Sequence, residues 1–184
     1  MNFTAFPVIK THRISLRQIE ESDVDTIFFL RTNTIVNKYI ERPVSRQIKS
    51  NDDALAFIQK INREMNENKS ISWGICLSGE TDIVGSICLW NFSEDRRNAE
   101  VGYDLNPKYH NKGIMSEALK EVVQFGFEQL DFHCISAYTH KENEGSKKLL
   151  EKCGFHANHN ILDDENANNR IYEILKSKKK VVTE

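Results

Sequence analysis

The chain has 184 residues, of which 39% are hydrophobic and 28% are charged, as in an ordinary globular protein with one sizeable core. Its formal net charge is −2 and its pI is about 6.3, so no global basic field would hold a nucleic-acid backbone. No apolar run approaches the roughly 20 residues that cross a bilayer, and the first ten residues lack a secretory signal's hydrophobic stretch. We therefore expect a soluble, cytoplasmic protein without a membrane or nucleic-acid partner.

Hydrophobic periodicity predicts a mixed α/β (α+β) fold. Alternation over Ile14–Ile19 predicts a first strand, and apolar residues at helical spacing follow Glu21 and Asp52. After Asn68 the period changes from about 3.6 to 2. Further strands are predicted over 71–77, 83–90, 99–105 and 134–139, from Phe155 onward and over 170–175, with helices starting just after Gly113 and at Glu144. These elements make about seven strands and four helices, arranged as helices crossing a largely antiparallel sheet.

No feature of the sequence indicates a boundary between domains. The chain contains no internal repeat, no low-complexity tract and no Pro/Gly-rich linker. It therefore predicts one domain over residues 1–184, ending in a charged tail at 177–184 that we expect to be frayed.

The cysteines indicate structural rather than metal chemistry. None of the four forms a CxxC pair, and three lie in apolar strand-like runs, which favours buried, reduced thiols. Cys153, His156 and His159 are spaced like a loose ligand cluster, but they lack a fourth partner and adjoin an evident turn. We expect no metal site.

The first chemically informative segment is the strand over residues 99–105. Glu100, Gly102 and Asp104 share one face of this strand. A glycine between two carboxylates leaves room for a ligand close to the backbone. The alternative interpretation is a solvated strand face.

The second informative segment follows directly. Asn106-Pro107 ends the strand, because proline cannot donate to the ladder, and Gly113 stands at the start of the next helix. A glycine in this position lets backbone N–H groups converge at the positive end of the helix, which suits a phosphate. Lys108 and Lys112 could add positive charge. A generic helix start is the alternative.

Together these segments resemble the acyl-CoA signature of the GNAT superfamily of N-acetyltransferases. The similarity runs through Ala99-Glu100-Val101-Gly102-Tyr103 and then from Pro107 to Leu119. More narrowly, it is a resemblance to the RimJ/RimL-like branch, which acetylates protein N-termini and assorted small amines. Asn143-Glu144-Gly145-Ser146 and Leu149–Phe155 resemble the family's Asn-x-x-Ser segment and its Glu-Lys-x-Gly-Phe close. With Leu16-Arg17 and Asp23 near the start, the resemblance covers roughly residues 11–176.

The resemblance implies a splayed central sheet and acetyl-CoA as co-substrate. Pantetheine would lie between the strand ending at Leu105 and the strand ending at His140, and a backbone N–H near Leu105 would polarise the thioester carbonyl. The amides of residues 111–116 would hold the pyrophosphate, and Asn143 would bond the pantetheine arm. The implied coenzyme-binding residues are Leu105, Asn111, Lys112, Gly113, Ile114, Met115, Ser116 and Asn143.

The sequence departs from the family pattern at three positions, one of which is Met115 in place of a final small residue, as is common in this branch. His110 stands where the superfamily often has Gln or Arg. Leu150 stands where many members have a tyrosine that would protonate the departing thiolate. Ser146 or a water molecule is then the candidate acid.

The chemistry also calls for a base. An alkyl ammonium has a pKa near 10, so it must lose a proton before it attacks a thioester in a ternary complex. Glu100 is our first choice for this general base and Asp104 the second. A covalent route through Cys134 is not favoured, because an apolar strand offers this thiol no activating partner.

The acceptor amine stays open at this stage. A peptide or protein N-terminus, a polyamine, an aminoglycoside and an amino acid all fit the mixed charges of residues 38–51. His110, His140 or the Trp90-Asn91-Phe92 segment could contact it, although solvated histidines and core aromatics are the simpler interpretations.

Two other functions compete with catalysis, and a homodimer is left open. A non-catalytic acyl-CoA-binding or sensor module would explain the missing tyrosine. A nucleotide phosphate site is opposed by the lack of a Gly-x-x-x-x-Gly-Lys-Ser/Thr loop.

Overall fold

The computed structural model describes residues 5–177 of the chain. Within this range four α-helices accompany one sheet of eight strands. The strands are β1 (Ile9–Lys10), β2 (Ile14–Gln18), β3 (Ile71–Leu77), β4 (Ile83–Trp90), β5 (Asn98–Leu105), β6 (Cys134–His140), β7 (His156–Asn158) and β8 (Asn169–Leu175). The helices are α1 (Val24–Thr32), α2 (Asn51–Asn66), α3 (Ile114–Glu128) and α4 (Glu144–Lys152).

The sheet has the order β1-β2-β3-β4-β5-β6-β8-β7. Every neighbouring pair is antiparallel except β5 and β6, which run parallel. The predicted mixed, mostly antiparallel fold is confirmed. The eighth strand is β1, which pairs Ile9 with Leu16 and is too short for alternation to reveal.

The helices cover both faces of the sheet. One buried cluster joins residues of α3 and α4, such as Leu119 and Leu150, to the inward side chains of the sheet, such as Trp73. A second cluster joins α1 and α2, through Ile27 and Ile58, to the opposite face. The period-2 strands and 3.6-period helices therefore bury their apolar sides as the pattern predicts.

An ion pair fixes the start of the first helix to β2. The two terminal nitrogens of Arg17 donate to the two carboxylate oxygens of Asp23, each at 2.7 Å. The same carboxylate accepts the backbone N–H of Glu20 at 2.8 Å. Hydrogen bonding to the buried carboxylate raises the pKa of Arg17, so the guanidinium stays charged.

The sheet splays apart between β5 and β6. These two strands pair only at Asn98–Cys134, Ala99–Ile135 and Glu100–Ser136. Beyond that point β5 stays paired with β4, and β6 stays paired with β8. A gap therefore opens in the middle of the sheet between residues 101–105 and 137–140.

Two predictions extend beyond the described residues. Beyond Ser177, the charged tail lies outside the described residues. The single-domain organisation of the whole chain stays a prediction. Among residues 5–177 no helix has both the length and the apolar character to cross a membrane.

Candidate active site

The gap between β5 and β6 forms a cleft of about 170 Å³. Its walls come from the two splayed strands and from the start of α4. Two loops close it on the outside, and Asn166 of one donates to the carboxylate of Glu41 in the other at 3.0 Å. The lining residues are 39–41, 101–103, 138–140, Asn143, Ser146, Asn166 and Asn169.

The backbone of β5 turns hydrogen-bonding groups into this cleft. The N–H of Asn106 donates to the carbonyl of Val84, and Leu105 is paired with Gly85. In an antiparallel ladder this places Leu105 at a non-hydrogen-bonded position, so its own N–H and C=O point away from β4. The same alternation applies to Val101 and Tyr103. An acyl chain in the gap would therefore meet backbone donors and acceptors along its length.

A sharp loop precedes α3 at one end of the cleft. Asn111 and Gly113 both have positive φ, of 58° and 76°. The N–H of Glu117 is the first to bond within the helix, to the carbonyl of Gly113 at 3.1 Å. The amides of residues 114–116 therefore precede the helical ladder, where a helix has its positive end. The side chains of Ile114 and Met115 are buried, so these two residues can offer a ligand only their backbone.

A brace from the N-terminal region holds this loop. The guanidinium of Arg13 donates to the carbonyls of Lys112 and Gly113, at 3.2 and 3.4 Å. Its Nε also donates to the carboxylate of Glu117 at 2.7 Å, and the Thr11 hydroxyl donates there at 2.5 Å. Burial alone would raise the pKa of Glu117, but these hydrogen bonds lower it, so the carboxylate stays charged and the brace stays intact.

His110 and Lys112 both make contacts within this part of the chain. The Nε2 of His110 lies 3.1 Å from the carbonyl oxygen of Leu105, so this ring closes the end of β5. The ammonium of Lys112 lies over an aromatic ring, 5.4 Å from the ring centroid of Tyr109. Both contacts shape the loop.

Ser146 is the central side chain on the α4 side of the cleft. Its hydroxyl oxygen lies 2.8 Å from the hydroxyl oxygen of Tyr103 on β5. Its N–H donates to the Oδ1 of Asn143, which caps α4, at 3.1 Å. Because that oxygen is committed to the cap, a hydrogen bond from Asn143 to pantetheine would come from its Nδ2. Burial raises the pKa of Tyr103 to about 12, so its hydroxyl stays protonated as a donor.

Leu150 occupies a different environment. One turn further along α4, its side chain is fully buried in the core and does not line the cleft. The position that carries a tyrosine in many superfamily members is therefore used here for packing.

Glu100 stands where the gap begins, because it belongs to the last pair between β5 and β6. Its Oε1 accepts a hydrogen bond from the Nδ2 of Asn91 at 2.5 Å. Burial raises the pKa of this carboxyl, and the charges of Asp163 and Glu165 raise it further, against the opposing hydrogen bond from Asn91. A carboxylate with a raised pKa is a stronger base.

Asp104, the second candidate base, is already engaged. Its Oδ1 accepts the hydroxyl and the N–H of Ser86 at 2.6 and 3.1 Å. Its Oδ2 lies 3.9 Å from the Nε of Arg31. These contacts engage both carboxylate oxygens of Asp104 and make it part of a charged cluster.

Of the two candidate catalytic residues, Ser146 lines the cleft, whereas Glu100 lies beside it at the last pair between β5 and β6. Glu100 shares its face of β5 with Gly102 and Asp104, whereas Tyr103 and its partner Ser146 lie on the other face. A Cβ at Gly102 would lie 3.3 Å from the Sγ of Cys88, so this glycine also serves close packing.

The other sequence-derived candidates divide as follows. His140 lines the cleft and stacks on Tyr39, with 5.4 Å between ring centroids. Trp90 is 37% exposed, whereas Phe92 packs on Phe132 in the core. The aromatic pair proposed for an acceptor pocket is therefore divided between surface and interior.

The cysteines are free thiols among the described residues. Burial raises the pKa of Cys88 to about 11 and raises that of Cys134 as well, so neither is activated as a nucleophile. Within residues 5–177 no three His, Cys, Asp or Glu side chains are grouped to hold a metal ion. Cys153 instead lies 3.5 Å from the hydroxyl of Ser116.

Sequence reasoning missed several residues of the site. The contact between Tyr103 and Ser146 was not predicted, Arg13 was given no role, and Arg42 entered only through the mixed charges of residues 38–51. Arg13 contacts residues about a hundred positions away in the sequence, and no local pattern predicts such a pairing.

The splayed sheet beside the N-terminus of α3 is the arrangement that the resemblance to GNAT N-acetyltransferases predicted. The chain matches the family model for the acetyltransferase (GNAT) domain over residues 13–156 and belongs to that family of enzymes. It is 33% identical over 150 residues to the uncharacterized N-acetyltransferase YoaA of Bacillus subtilis, covering 82% of this chain and 83% of that protein.

Solved structures share the fold. A GNAT-family acetyltransferase from Bacillus anthracis superimposes with a TM-score of 0.75 at 26% identity, covering 92% of this chain and 98% of that chain. RimL, a ribosomal L7/L12 α-N-protein acetyltransferase solved with coenzyme A, gives 0.79 at 16% identity, covering 92% and 98%. RimJ/RimL-like acetyltransferases are therefore among the structural neighbours, as the sequence motifs predicted.

Proposed function

We propose that this N-acetyltransferase moves the acetyl group of acetyl-CoA onto a primary amine by direct attack in a ternary complex. The observation that carries the proposal is the gap beyond the Glu100–Ser136 pair, where β5 presents unpaired backbone groups beside the N-terminus of α3.

The coenzyme would bind along this gap. Its pyrophosphate would meet the converging amides of residues 111–116, where the positive φ angles of Asn111 and Gly113 turn the backbone inward. Lys112 would add positive charge at the rim. Its pantetheine arm would lie against residues 101–105, with Asn143 as a side-chain partner.

The reaction needs a base for the amine and a donor for the leaving sulfur. Glu100 would accept one proton from the acceptor ammonium, directly or through a water, and the free amine would then attack the thioester carbonyl. The N–H of Leu105 would stabilise the negative charge that develops on the carbonyl oxygen. As the C–S bond breaks, the hydroxyl of Ser146 would pass a proton to the departing sulfur and recover one from the nitrogen of the new amide, and Tyr103 would supply the hydrogen bond behind it.

Peptide N-termini and small amines are the acceptor classes that the fold and the relatives support. The structural neighbour RimL is named for acetylating a protein α-amine, which makes a peptide N-terminus the first acceptor to test.

The test follows the release of free coenzyme A from acetyl-CoA across a panel of amines. The panel contains peptides with free N-termini, amino acids, polyamines and aminoglycosides, and each peptide has an N-acetylated control. Release that requires a free amine would support the proposal. Tight binding of acetyl-CoA with no acceptor-dependent release would contradict it and favour the acyl-CoA-binding module.

A further inference from the structure

Two arginines approach the same carboxylate on the α1/α2 side of β5. Arg31 comes from the end of α1 and Arg42 from the loop that follows it. The Nε of Arg31 lies 3.9 Å from Asp104, and the charge of Asp104 also acts on Arg42. Asp104 meanwhile accepts both hydrogen bonds from Ser86. The cluster of Arg31, Arg42 and Asp104 thus holds two positive charges against one negative charge.

Neither guanidinium has its hydrogen bonding satisfied by a carboxylate. Within residues 5–177 the Nε of Arg31 is the buried side-chain nitrogen that finds no hydrogen-bond partner. Arg42 donates to the amide oxygen of Asn37, which is neutral. A partly buried excess of positive charge is costly, and proteins normally supply it with an anion.

Both arginines are held in place by contacts within the protein, before any ligand carboxylate binds. Arg31 lies flat on the ring of Phe57, 4.2 Å from its centroid. The Nδ2 of Asn37, which positions Arg42, donates to the carbonyls of Leu30 and Asn33 at 2.9 and 2.8 Å. The cluster is therefore preorganised. Burial and, secondly, the charge of Arg31 together lower the pKa of Arg42 to about 10.

The cluster adjoins the cleft on the acceptor side. Arg42 directly follows Ile40 and Glu41, which line the cleft. Asp104 lies two residues beyond Gly102, which lines it too, and on the same strand face as Glu100. An acceptor over Gly102 would have the proposed base on one side and the arginines on the other.

We infer that Arg31 and Arg42 bind a carboxylate carried by the acceptor amine, so that the preferred substrates are amines with an acidic group close to the nucleophilic nitrogen. The inference rests on the proposed acetyl transfer. The carboxylate could be that of a free amino acid or the acidic side chain of a peptide's second residue. Guanidinium groups suit either source, because they bond a carboxylate through two parallel N–H groups.

The test compares matched acceptors with the unmodified enzyme. One arm sets alanine against alaninamide, and the other sets the dipeptide amide Ser-Asp against Ser-Asn. With kcat/KM expressed per deprotonated amine, the acidic member of at least one pair should be favoured by roughly tenfold or more. Equal kcat/KM within both pairs would overturn the inference.

A binding measurement separates this inference from the proposed activity. N-acetylalanine and N-acetylalaninamide are titrated calorimetrically into the protein saturated with coenzyme A, which needs no turnover. Tighter binding of the acid, weakened roughly tenfold in Arg42→Gln, would support the anion site even if no amine were acetylated. Equal binding of acid and amide would overturn the site even if acetyl transfer proceeded.

Matched variants guard against a trivial loss of structure. Arg46→Gln removes the same charge from the same loop, where the guanidinium lies over the exposed Trp90 ring, and should keep the preference for the acid. Arg42→Lys keeps the charge without the planar fork and should retain only part of the preference. Equal loss of preference in Arg46→Gln and Arg42→Gln would show a diffuse charge effect and contradict the site.

Discussion

The hydroxyl groups of Tyr103 and Ser146 lie 2.8 Å apart, although 43 residues separate them in the chain. One stands on β5 and the other in the first turn of α4, so the contact joins the two sides of the cleft. It orients the Ser146 hydroxyl beside the space where the coenzyme sulfur would lie. With Leu150 buried in the core, this pair is the hydroxyl source that we propose for the leaving sulfur.

Replacing Tyr103 by Phe should therefore slow the reaction without unfolding the protein. The ring stays in place, but Ser146 loses one hydrogen bond, worth about 1 kcal/mol, which corresponds to roughly a fivefold lower kcat. Steady-state kinetics with a saturating acceptor measure this. Tyr172→Phe is the matched control, because its hydroxyl donates to Glu151 at 3.4 Å outside the cleft, and its kcat should not change. Equal kcat for Tyr103→Phe and the unmodified enzyme would exclude a role for the pair in the chemical step.

Replacing Glu100 by Gln should remove the proposed base. We expect kcat to fall by about 100-fold or more, as for the loss of a positioned general base, while acetyl-CoA still binds. Glu80→Gln, an exposed change in the turn between β3 and β4, should leave kcat unaltered. Unchanged kcat in Glu100→Gln would move the role of base to another group.

The pH dependence of kcat should carry the same signature. Glu100 acts in its charged form, so activity is full above its pKa and is lost as the pH falls through it. Because burial and the charges of Asp163 and Glu165 raise this pKa, the acid limb should lie above the ordinary range of a glutamate. Glu165→Gln should move the limb to lower pH, and Glu128→Gln, at the end of α3, should not. A limb that is identical in Glu165→Gln and the unmodified enzyme would show that another group titrates.

Local periodicity was enough to predict most of the fold. Buried residues such as Leu16 in β2, Ile75 in β3 and Leu119 in α3 made their elements predictable, because each buried face repeats at the period of its own element. Strand β1 escaped because two residues carry no alternation. The splay between β5 and β6 was expected only through the family resemblance, since periodicity does not report where paired strands part.

The site was predictable where its residues adjoin in sequence. The turn into α3 could be read from Gly113, because the geometry there is local. The contact of Tyr103 with Ser146 could not be, since alternation identifies the face of a side chain and not its partner. The same limit hid the approach of Arg31 and Arg42 to Asp104, which depends on how α1 and the following loop pack against β5.

Gly113→Ala offers the sharpest test of the coenzyme loop. At φ 76° an L-residue is strained by roughly 1–2 kcal/mol, and the new Cβ would lie 3.3 Å from the guanidinium of Arg13. The loop should relax and turn its amides away from the pyrophosphate, which raises the KM for acetyl-CoA by about tenfold if the strain is relieved at the cost of binding. Gly79→Ala separates strain from coenzyme binding, because Gly79 has φ 84° with open space around its Cβ position in the turn after β3. Both variants should melt at a lower temperature, but only Gly113→Ala should bind acetyl-CoA more weakly by calorimetry. If the two variants bind the coenzyme equally well, the turn before α3 is a structural feature and the pyrophosphate lies elsewhere.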